Sequence, residues 1–236
     1  MRIEPVGIDS IVHVIQRGAR GMGIVRDNAD RFRFTHSLLY LNDTYADPIW
    51  HQTIAKVIPY TRPPHWPERD PLVRILGWTL LQNHFHLLLQ EICERGTARF
   101  MQRLCGSMTM CFNRKYVEKG SLFQGSYRGR TVSDGRHLNY LAFYILVKNT
   151  LEMYPGGLMA AHADFDAAWE WASKYRFSSL RDYITKTTSP ITEDSDGLLD
   201  VIVGTGNAYK QEARELLEYH LSSRGEEFSV EMLEPW

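Results

Sequence analysis

The sequence has few cysteines, no long apolar run and no internal repeat. Its three cysteines, Cys93, Cys105 and Cys111, form no CxxC pair of the kind that binds zinc. So few cysteines argue against a disulfide-stapled secreted protein and favour a reduced compartment. No apolar run approaches the roughly 18 residues that a membrane span needs. The opening MRIEPVGIDSIVHV lacks the basic start and apolar core of a secretion signal. We therefore expect a cytoplasmic protein with no membrane partner.

The length and composition are those of an ordinary globular protein. The 236 residues allow one or two domains, and 44% of them are hydrophobic while 23% are charged. Turn-forming residues, Pro155, Gly156 and Gly157, close a first unit. We predict one domain over residues 1–157 and a helical C-terminal extension over residues 158–236.

The net charge of −1 conceals two regions of opposite sign. Residues 95–136 hold nine Lys and Arg against two Asp and Glu, whereas residues 190–236 hold three against eleven. Clustered basic residues favour a polyanionic partner, because a phosphate backbone rewards them. A solvated surface without any partner explains the same count, so charge alone leaves both readings open.

Hydrophobic patterning predicts the order β, α, β, β, α, β, α. The expected strands lie at 11–16, 73–81, 84–92 and 128–132, and the expected helices at 28–41, 97–119 and 134–149. Residues 42–70 hold five prolines and predict a helix followed by irregular chain. Further helices are expected near 162–174, 178–185, 197–203 and 208–222. This order favours an α+β fold with a largely antiparallel sheet.

Two histidines stand two residues apart at the start of an apolar strand, in the run HFHLLL. Alternate residues of a strand share a face, so His84 and His86 project together while Phe85 enters the opposite side. Two neutral imidazoles placed in this way can bind one metal ion. The alternative is a pair of half-buried histidines that hydrogen-bond to their neighbours.

Two tyrosines lie four residues apart in the helix HLNYLAFYILVKN. This spacing puts Tyr140 and Tyr144 on one helix face, a turn apart. A tyrosine can attack phosphorus when its phenol is deprotonated or activated by a metal. Helix tyrosines are more often part of the core, and the pattern alone does not choose between these roles.

Several motifs in this order resemble the single-tyrosine HUH transposases, the insertion-sequence-200-like and REP-associated tyrosine transposase family. They are HVIQRGARGMGIVRD, QNHFHLLL, FMQRL, FNRKYVEKGSLFQGSYRG, LAFYI with KN, and YRFSSLRDY. The resemblance runs from about residue 10 to residue 184. It implies a ferredoxin-like antiparallel sheet with packed helices, in which His84 and His86 bind the metal. It also implies that Tyr144 is the nucleophile, with Tyr140 as the reserve candidate.

One departure from the family pattern concerns the third metal ligand. The family follows its YI pair with two residues and then Asn-Pro, whereas here Lys148 occupies the place four residues after the tyrosine. A protonated lysine has no lone pair to offer a metal. Either Asn149 reaches the metal through a helix irregularity, or Lys148 contacts phosphate instead.

The resemblance implies a strand transferase that cuts and rejoins single-stranded DNA beside a hairpin through a 5′-phosphotyrosine intermediate. Mg²⁺ or Mn²⁺ is the implied cofactor, and single-stranded or hairpin DNA is the implied partner, with association to the nucleoid. A homodimer is one possible assembly. The DNA-binding candidates are Arg17, Arg20, Arg99, Arg103, Arg114, Lys115, Gln124, Tyr127, Arg128, Arg130 and Lys148.

Two other functions remain open at this stage. One is a domesticated hairpin-DNA-binding protein that has lost cleavage, which the lysine at position 148 favours. The other is a metal-dependent phosphoesterase that uses activated water in place of a tyrosine.

Overall fold

The computed structural model describes residues 6–204 and 206–222. Within them, the first half of the chain forms a β-α-β-β-α-β unit around one antiparallel sheet. Its strands are β1 (Ile11–Arg17), β2 (Val73–Leu80), β3 (His84–Glu91) and β4 (Arg128–Thr131), and its helices are α1 (Asn28–Tyr40), α2 (Trp50–Ile54) and α3 (Gly96–Tyr116). The spatial order β2-β3-β1-β4 with antiparallel pairing is that of a ferredoxin-like sheet. The predicted fold class is therefore confirmed.

The two faces of the sheet are covered by different helices. Phe85 points from β3 into a core shared with Phe34 of α1 and with Phe100 and Leu104 of α3. The opposite face packs against the helical segment that follows β4, where the Thr79 hydroxyl of β2 donates to the Ile145 carbonyl. Because strand residues alternate, His84 and His86 face this second layer.

The second layer is one long helical run with a wide turn in its middle. It consists of α4 (Gly135–Ala142), a π-helix (Phe143–Lys148) and α5 (Asn149–Leu151). The helices that follow are α6 (Gly157–Ala163), α7 (Phe165–Ala172), α8 (Leu180–Thr185), α9 (Leu198–Val203) and α10 (Gly206–Ser222). Leu146 of the π-helix, Phe165 of α7 and Leu217 of α10 belong to one buried cluster, so the later helices pack directly on the first unit.

Local signals explain the helix boundaries and three departures from prediction. Asp27 starts α1 through a reciprocal capping box with Asp30. Helix α3 ends at Tyr116, before the predicted end at residue 119, because Val117 adopts a left-handed conformation. The single helix expected at 162–174 is two helices, since Asp164 caps α7 by accepting from the Ala167 amide. The fourth helix of the first unit is interrupted by the π-helix. Across the described ranges, no helix is both long enough and apolar enough to cross a bilayer.

Gly96 allows the start of α3 to approach β2. A Cβ at this position would lie 2.0 Å from the Leu72 carbonyl oxygen, a backbone atom that cannot easily move. We expect Gly96→Ala to lower the free energy of unfolding by about 1–3 kcal/mol, as overpacked sites do. The matched control is Gly106→Ala in the same helix, where a Cβ meets nothing within 4 Å. In denaturant unfolding, the Gly106→Ala control should have the wild-type free energy of unfolding or be up to about 1 kcal/mol more stable. If the two variants have the same free energy of unfolding, the packing argument is wrong.

Candidate active site

Two histidines of β3 lie side by side beneath the second helical layer. The ring centroids of His84 and His86 are 5.0 Å apart, and both side chains are buried. His84 Nδ1 hydrogen-bonds to the Asn83 side-chain oxygen at 2.7 Å. His86 Nδ1 pairs with His13 Nε2 at 2.9 Å. Protein bonds at both Nδ1 atoms fix the orientation of the two rings.

His13 is a residue of the site to which the sequence reasoning gave no role. It lies on β1, and its ring stacks on His86 with centroids 5.2 Å apart and planes 17° from parallel. Strand alternation already places His13 on one face of β1. The pairing of β1 with β3, which brings it beside His86, is not readable from either strand alone.

Tyr144 lies directly over the histidines. Its ring centroid is 5.5 Å from that of His86 and 6.4 Å from that of His13. The side chain is 1% exposed, and His220 of α10 packs against it with centroids 6.1 Å apart. Tyr144, the predicted nucleophile, thus lies buried beside the predicted metal ligands His84 and His86, although the two segments are far apart in the sequence. A molecule outside the protein could contact the Tyr144 side chain only after local movement of the residues around it.

Tyr140, the reserve candidate, is placed differently. Its hydroxyl hydrogen-bonds to His220 Nδ1 at 3.1 Å, and its ring lies against Phe143 and Tyr144. Burial raises the pKa of its phenol to about 12. A phenol that ionises so reluctantly is a weak nucleophile near neutral pH.

Lys148 contacts the predicted nucleophile. Its Nζ donates to the Tyr144 hydroxyl at 3.4 Å and lies 4.6 Å from the centre of the ring. It also forms an ion pair with Glu152, one turn further along. The side chain is buried, so its charge is held next to the phenol.

The π-helix changes the phase of the residues that follow Tyr144. In its last turn the backbone amide of Asn149 donates to the carbonyl of Tyr144, a bond spanning five residues. Asn149 is fully buried, and neither atom of its side-chain amide has a hydrogen-bond partner in residues 6–204 and 206–222. A wide turn of this kind brings the fifth residue, not the fourth, beneath the first.

The predicted DNA-binding residues fall into two groups. The first group shares the sheet face of the histidines, because Arg17 pairs with His84, Arg130 pairs with His13, and Arg128 pairs with Ile15. Arg20 and Gln124 adjoin this group. Arg20 lies in the turn after β1, and the backbone amide of Gln124 donates to the Arg17 carbonyl. Tyr127, which precedes β4, does not belong to this group, because it packs against the core on the α1 side of the sheet.

The second group lies on α3, in the layer that covers the other face of the sheet. Arg103 donates to the carbonyls of Asp43 and Thr44, and Lys115 forms ion pairs with Asp27 and Asp30 at the start of α1. Arg99 and Arg114 also belong to this helix. The structure therefore separates these α3 residues from the histidines, and at least Arg103 and Lys115 take part in holding the fold together.

One known family matches part of the chain. A family model described as "Transposase IS200 like" matches residues 68–147. Residues 68–147 are therefore similar to the IS200-like transposases. The matched region contains both histidines of β3 and Tyr144. It ends before Lys148, the position at which this sequence departs from the family pattern. The resemblance predicted from the sequence is confirmed.

A solved structure described as a REP-associated tyrosine transposase bound to a REP hairpin is 11% identical in sequence, with a TM-score of 0.45. The match covers 83% of this chain and 91% of the other. No curated protein matches the chain. Among the residues that the structure describes, no cluster of three or more His, Cys, Asp or Glu side chains forms a metal site.

Proposed function

We propose that the protein is a DNA strand transferase that cuts and rejoins single-stranded DNA beside a hairpin. Tyr144 is its nucleophile, and His84 and His86 hold a divalent metal. The observation that carries the proposal is the contact between the Tyr144 and His86 rings, with centroids 5.5 Å apart. A phenol and a pair of imidazoles from separate segments converge there, inside a region of the IS200-like transposase family.

Asn149 completes the proposed ligand set through the π-helix. From the sequence, Asn149 can reach the metal only through a helix irregularity. The five-residue bond between the Asn149 amide and the Tyr144 carbonyl is such an irregularity. A buried amide without a protein partner costs free energy, and a metal ion would satisfy its carbonyl oxygen. Lys148, displaced by one residue, is then left to contact the phenol and the scissile phosphate.

The donor set fits a divalent transition metal. Two imidazoles and one amide oxygen favour Mn²⁺ over Mg²⁺, which prefers oxygen ligands throughout. When bound, such an ion supplies positive charge that draws electron density from the oxygens of a phosphate. The Nδ1 bonds of His84 and His86 orient the two rings for this role.

The chain's own residues account for the remaining steps. The Tyr144 oxygen attacks the phosphorus in line, forming a P–O bond to the enzyme while the bond to the 3′ oxygen breaks. The phenol loses one proton and the departing 3′ oxygen gains one, so the step is neutral in protons and electrons. Lys148, 3.4 Å from the hydroxyl, stabilises the negative charge that develops there. A second 3′-hydroxyl reverses the step and rejoins the DNA, because the phosphodiester energy is retained in the tyrosyl ester.

The arginines on the histidine face are the proposed guides for the single strand. Arg17, Arg128 and Arg130 line this face beside the proposed ligands. Guanidinium groups bind phosphate through paired hydrogen bonds, so a row of them can follow a DNA backbone. Arg20 and Gln124 adjoin the row and are proposed contacts for phosphate and unpaired bases. Tyr127, on the opposite face, stays a prediction as a stacking group. The α3 residues Arg99, Arg103, Arg114 and Lys115 stay a prediction as contacts for DNA phosphates.

The experiment that tests the proposal is covalent capture. Purified protein is incubated with Mn²⁺ and labelled imperfect hairpins copied from inverted repeats near the coding sequence. We expect a protein–DNA adduct that survives denaturing electrophoresis. Tight binding without an adduct would favour the alternative of a domesticated hairpin-binding protein. Cleavage without an adduct would favour the phosphoesterase.

His13 gives a second, narrower test. Its bond to His86 Nδ1 holds that ring in place, and residues that support a metal ligand typically contribute about 10- to 100-fold in metal affinity. We expect His13→Ala to weaken Mn²⁺ binding by at least about 10-fold, measured by calorimetry. His13→Gln, which keeps a hydrogen-bonding group, should recover part of the loss. If both variants lose the same amount of thermal stability and keep the wild-type affinity for Mn²⁺, His13 is only a packing residue.

Assembly, location and domain division are parts of the same proposal. Action on genomic DNA would place the protein in the cytoplasm, associated with the nucleoid. A homodimer remains one proposed assembly, which light scattering with and without hairpin DNA would test. A domain of residues 1–157 with a helical extension over 158–236 is proposed as the organisation; residues 223–236 of that extension lie outside the described residues.

A further inference from the structure

The motif YRFSSLRDY, residues 175–183, has no part in the proposed chemistry, although the family resemblance includes it. In the structure this segment runs along the outer edge of β2. The backbone amide of Ser179 donates to the Trp78 carbonyl at 3.0 Å, and Ser178 forms an isolated antiparallel bridge with Thr79. The motif therefore fixes one serine beside a threonine of β2.

Three buried hydroxyl groups meet between this edge and the second helical layer. The hydroxyl oxygen of Ser178 lies 2.8 Å from that of Thr150 in α5 and 3.3 Å from that of Thr79. All three side chains are at most 4% exposed. Thr79 pairs across the sheet with His86, so its side chain lies on the face of the proposed metal ligands. This hydroxyl cluster of Thr79, Thr150 and Ser178 thus belongs to the side of the sheet that carries the candidate active site.

Thr79 supplies a hydrogen-bond donor to the wide turn. In an ordinary α-helix the Asn149 amide would donate to the carbonyl of Ile145, four residues earlier. Here the Thr79 hydroxyl donates to that carbonyl, and the Asn149 amide donates to the Tyr144 carbonyl. Because a buried carbonyl needs a donor, the threonine lowers the cost of moving the amide by one residue. The hydroxyl therefore favours a π-helix over an α-helix beside Tyr144.

Thr150 acts in a similar way one residue later. Its hydroxyl donates at 2.6 Å to the carbonyl of Leu146, four residues earlier. Bonds of this kind compete with the backbone amide for the carbonyl and distort helices. Ser178 lies against both threonine hydroxyls and also accepts from the backbone amide of Leu180 at 3.2 Å, which ties the hydroxyl cluster to α8. Side chains from three separate segments thus converge on one turn of the nucleophile's helix.

We propose that Thr79 is a positioning residue that selects the π-helix, with the rest of the hydroxyl cluster in support. The proposal rests on the proposed function, in which the π-helix presents Asn149 to the metal. Without the Thr79 hydroxyl, the Ile145 carbonyl would recover the backbone amide of Asn149. The Asn149 side chain would then turn away from the histidines, and its place would fall to Lys148, which has no lone pair for a metal.

The test is a double-mutant cycle on Mn²⁺ affinity, measured by calorimetry in the presence of the uncleaved hairpin. Thr79→Val removes the hydroxyl and keeps the shape of the side chain, and Asn149→Ala removes the proposed ligand. We expect each substitution to weaken Mn²⁺ binding by about 10-fold. The double variant should match Asn149→Ala within about twofold, because Thr79 acts through Asn149. Thr79→Ser, which keeps the hydroxyl, should restore the wild-type affinity.

Thr131→Val is the matched control. Thr131 is also a strand threonine, but it pairs with Val12 on the opposite face of the sheet. Its hydroxyl has no hydrogen-bond partner in the part of the chain that the structure describes. The Mn²⁺ affinity of this control should equal that of the wild-type protein. Thr150→Val repeats the cycle from the second threonine and remains informative if Thr79→Val does not fold.

Each outcome decides the proposal. A double variant that binds Mn²⁺ as well as Asn149→Ala does supports positioning through Asn149. A loss of about 100-fold in the double variant overturns it, because the two residues would then act independently. Unchanged affinity in either single variant, no recovery in Thr79→Ser, or a loss in the Thr131→Val control also overturns it, while adduct formation by the wild-type protein keeps the proposed function. Failure of the wild-type protein to bind Mn²⁺ and to form the adduct overturns both.

Discussion

Tyr144→Phe should abolish the covalent DNA adduct and lower cleavage by more than about 1,000-fold, as the loss of a nucleophile does in other enzymes. The substitution removes one oxygen and leaves the ring that packs against His13, His86 and His220. Lys148 keeps its ion pair with Glu152 when the hydroxyl is gone. The fold should therefore survive, and circular dichroism with thermal unfolding checks that it does.

Tyr140→Phe is the matched control for this prediction. It removes the same atom one helical turn earlier, from a buried phenol whose pKa is raised to about 12. We expect the Tyr140→Phe variant to form the adduct at close to the wild-type rate. If the Tyr140→Phe variant loses the adduct while the Tyr144→Phe variant keeps it, the nucleophile is Tyr140 and the assignment to Tyr144 is wrong. Full cleavage by the Tyr144→Phe variant would point to attack by water.

His86→Ala should remove Mn²⁺ binding, with a loss of affinity of more than about 100-fold, since even residues that only support a ligand contribute up to that amount. His86 is fully buried between His84 and His13, so it is the centre of the proposed donor set. Calorimetry with Mn²⁺ in the presence of the uncleaved hairpin measures the Mn²⁺ affinity independently of cleavage activity. Cleavage should fall together with metal affinity and recover partly at high Mn²⁺ concentration.

The control for metal binding is His162→Ala. This histidine is exposed in the last turn of α6 and is absent from the group formed by His13, His84 and His86. Its removal should leave Mn²⁺ affinity unchanged. Unchanged Mn²⁺ affinity in the His86→Ala variant, with the fold intact, would leave the histidines as hydrogen-bonded core residues, the alternative that the HFH pattern left open.

Much of the fold follows from local signals in the sequence. Alternation of apolar residues predicts all four strands within a residue or so, and Asp27 and Asp134 cap the helices at or next to the predicted starts. The division of the 162–174 helix depends on Asp164 turning its side chain back to an amide. Such a choice depends on how the flanking helices pack, which a sequence pattern does not contain.

The candidate site could be predicted only in part. Strand alternation is enough to place His84 and His86 together, and family resemblance supplies Tyr144. The role of His13 depends on the register of β1 against β3, and the separation of the α3 arginines from the histidines depends on which face that helix covers. Both are properties of pairing between distant segments. Local periodicity cannot reveal them.

The wide turn at Phe143–Lys148 has a consequence for the rest of the molecule. An extra residue in an ordinary helix would rotate everything beyond it by about 100° around the axis, since 3.6 residues make a turn. Here the surplus is absorbed within a few residues, so Leu151 and the segments after it still meet their neighbours in the buried cluster. A change of one residue in length beside Tyr144 can thus be accommodated within this turn while the helices that follow keep their packing.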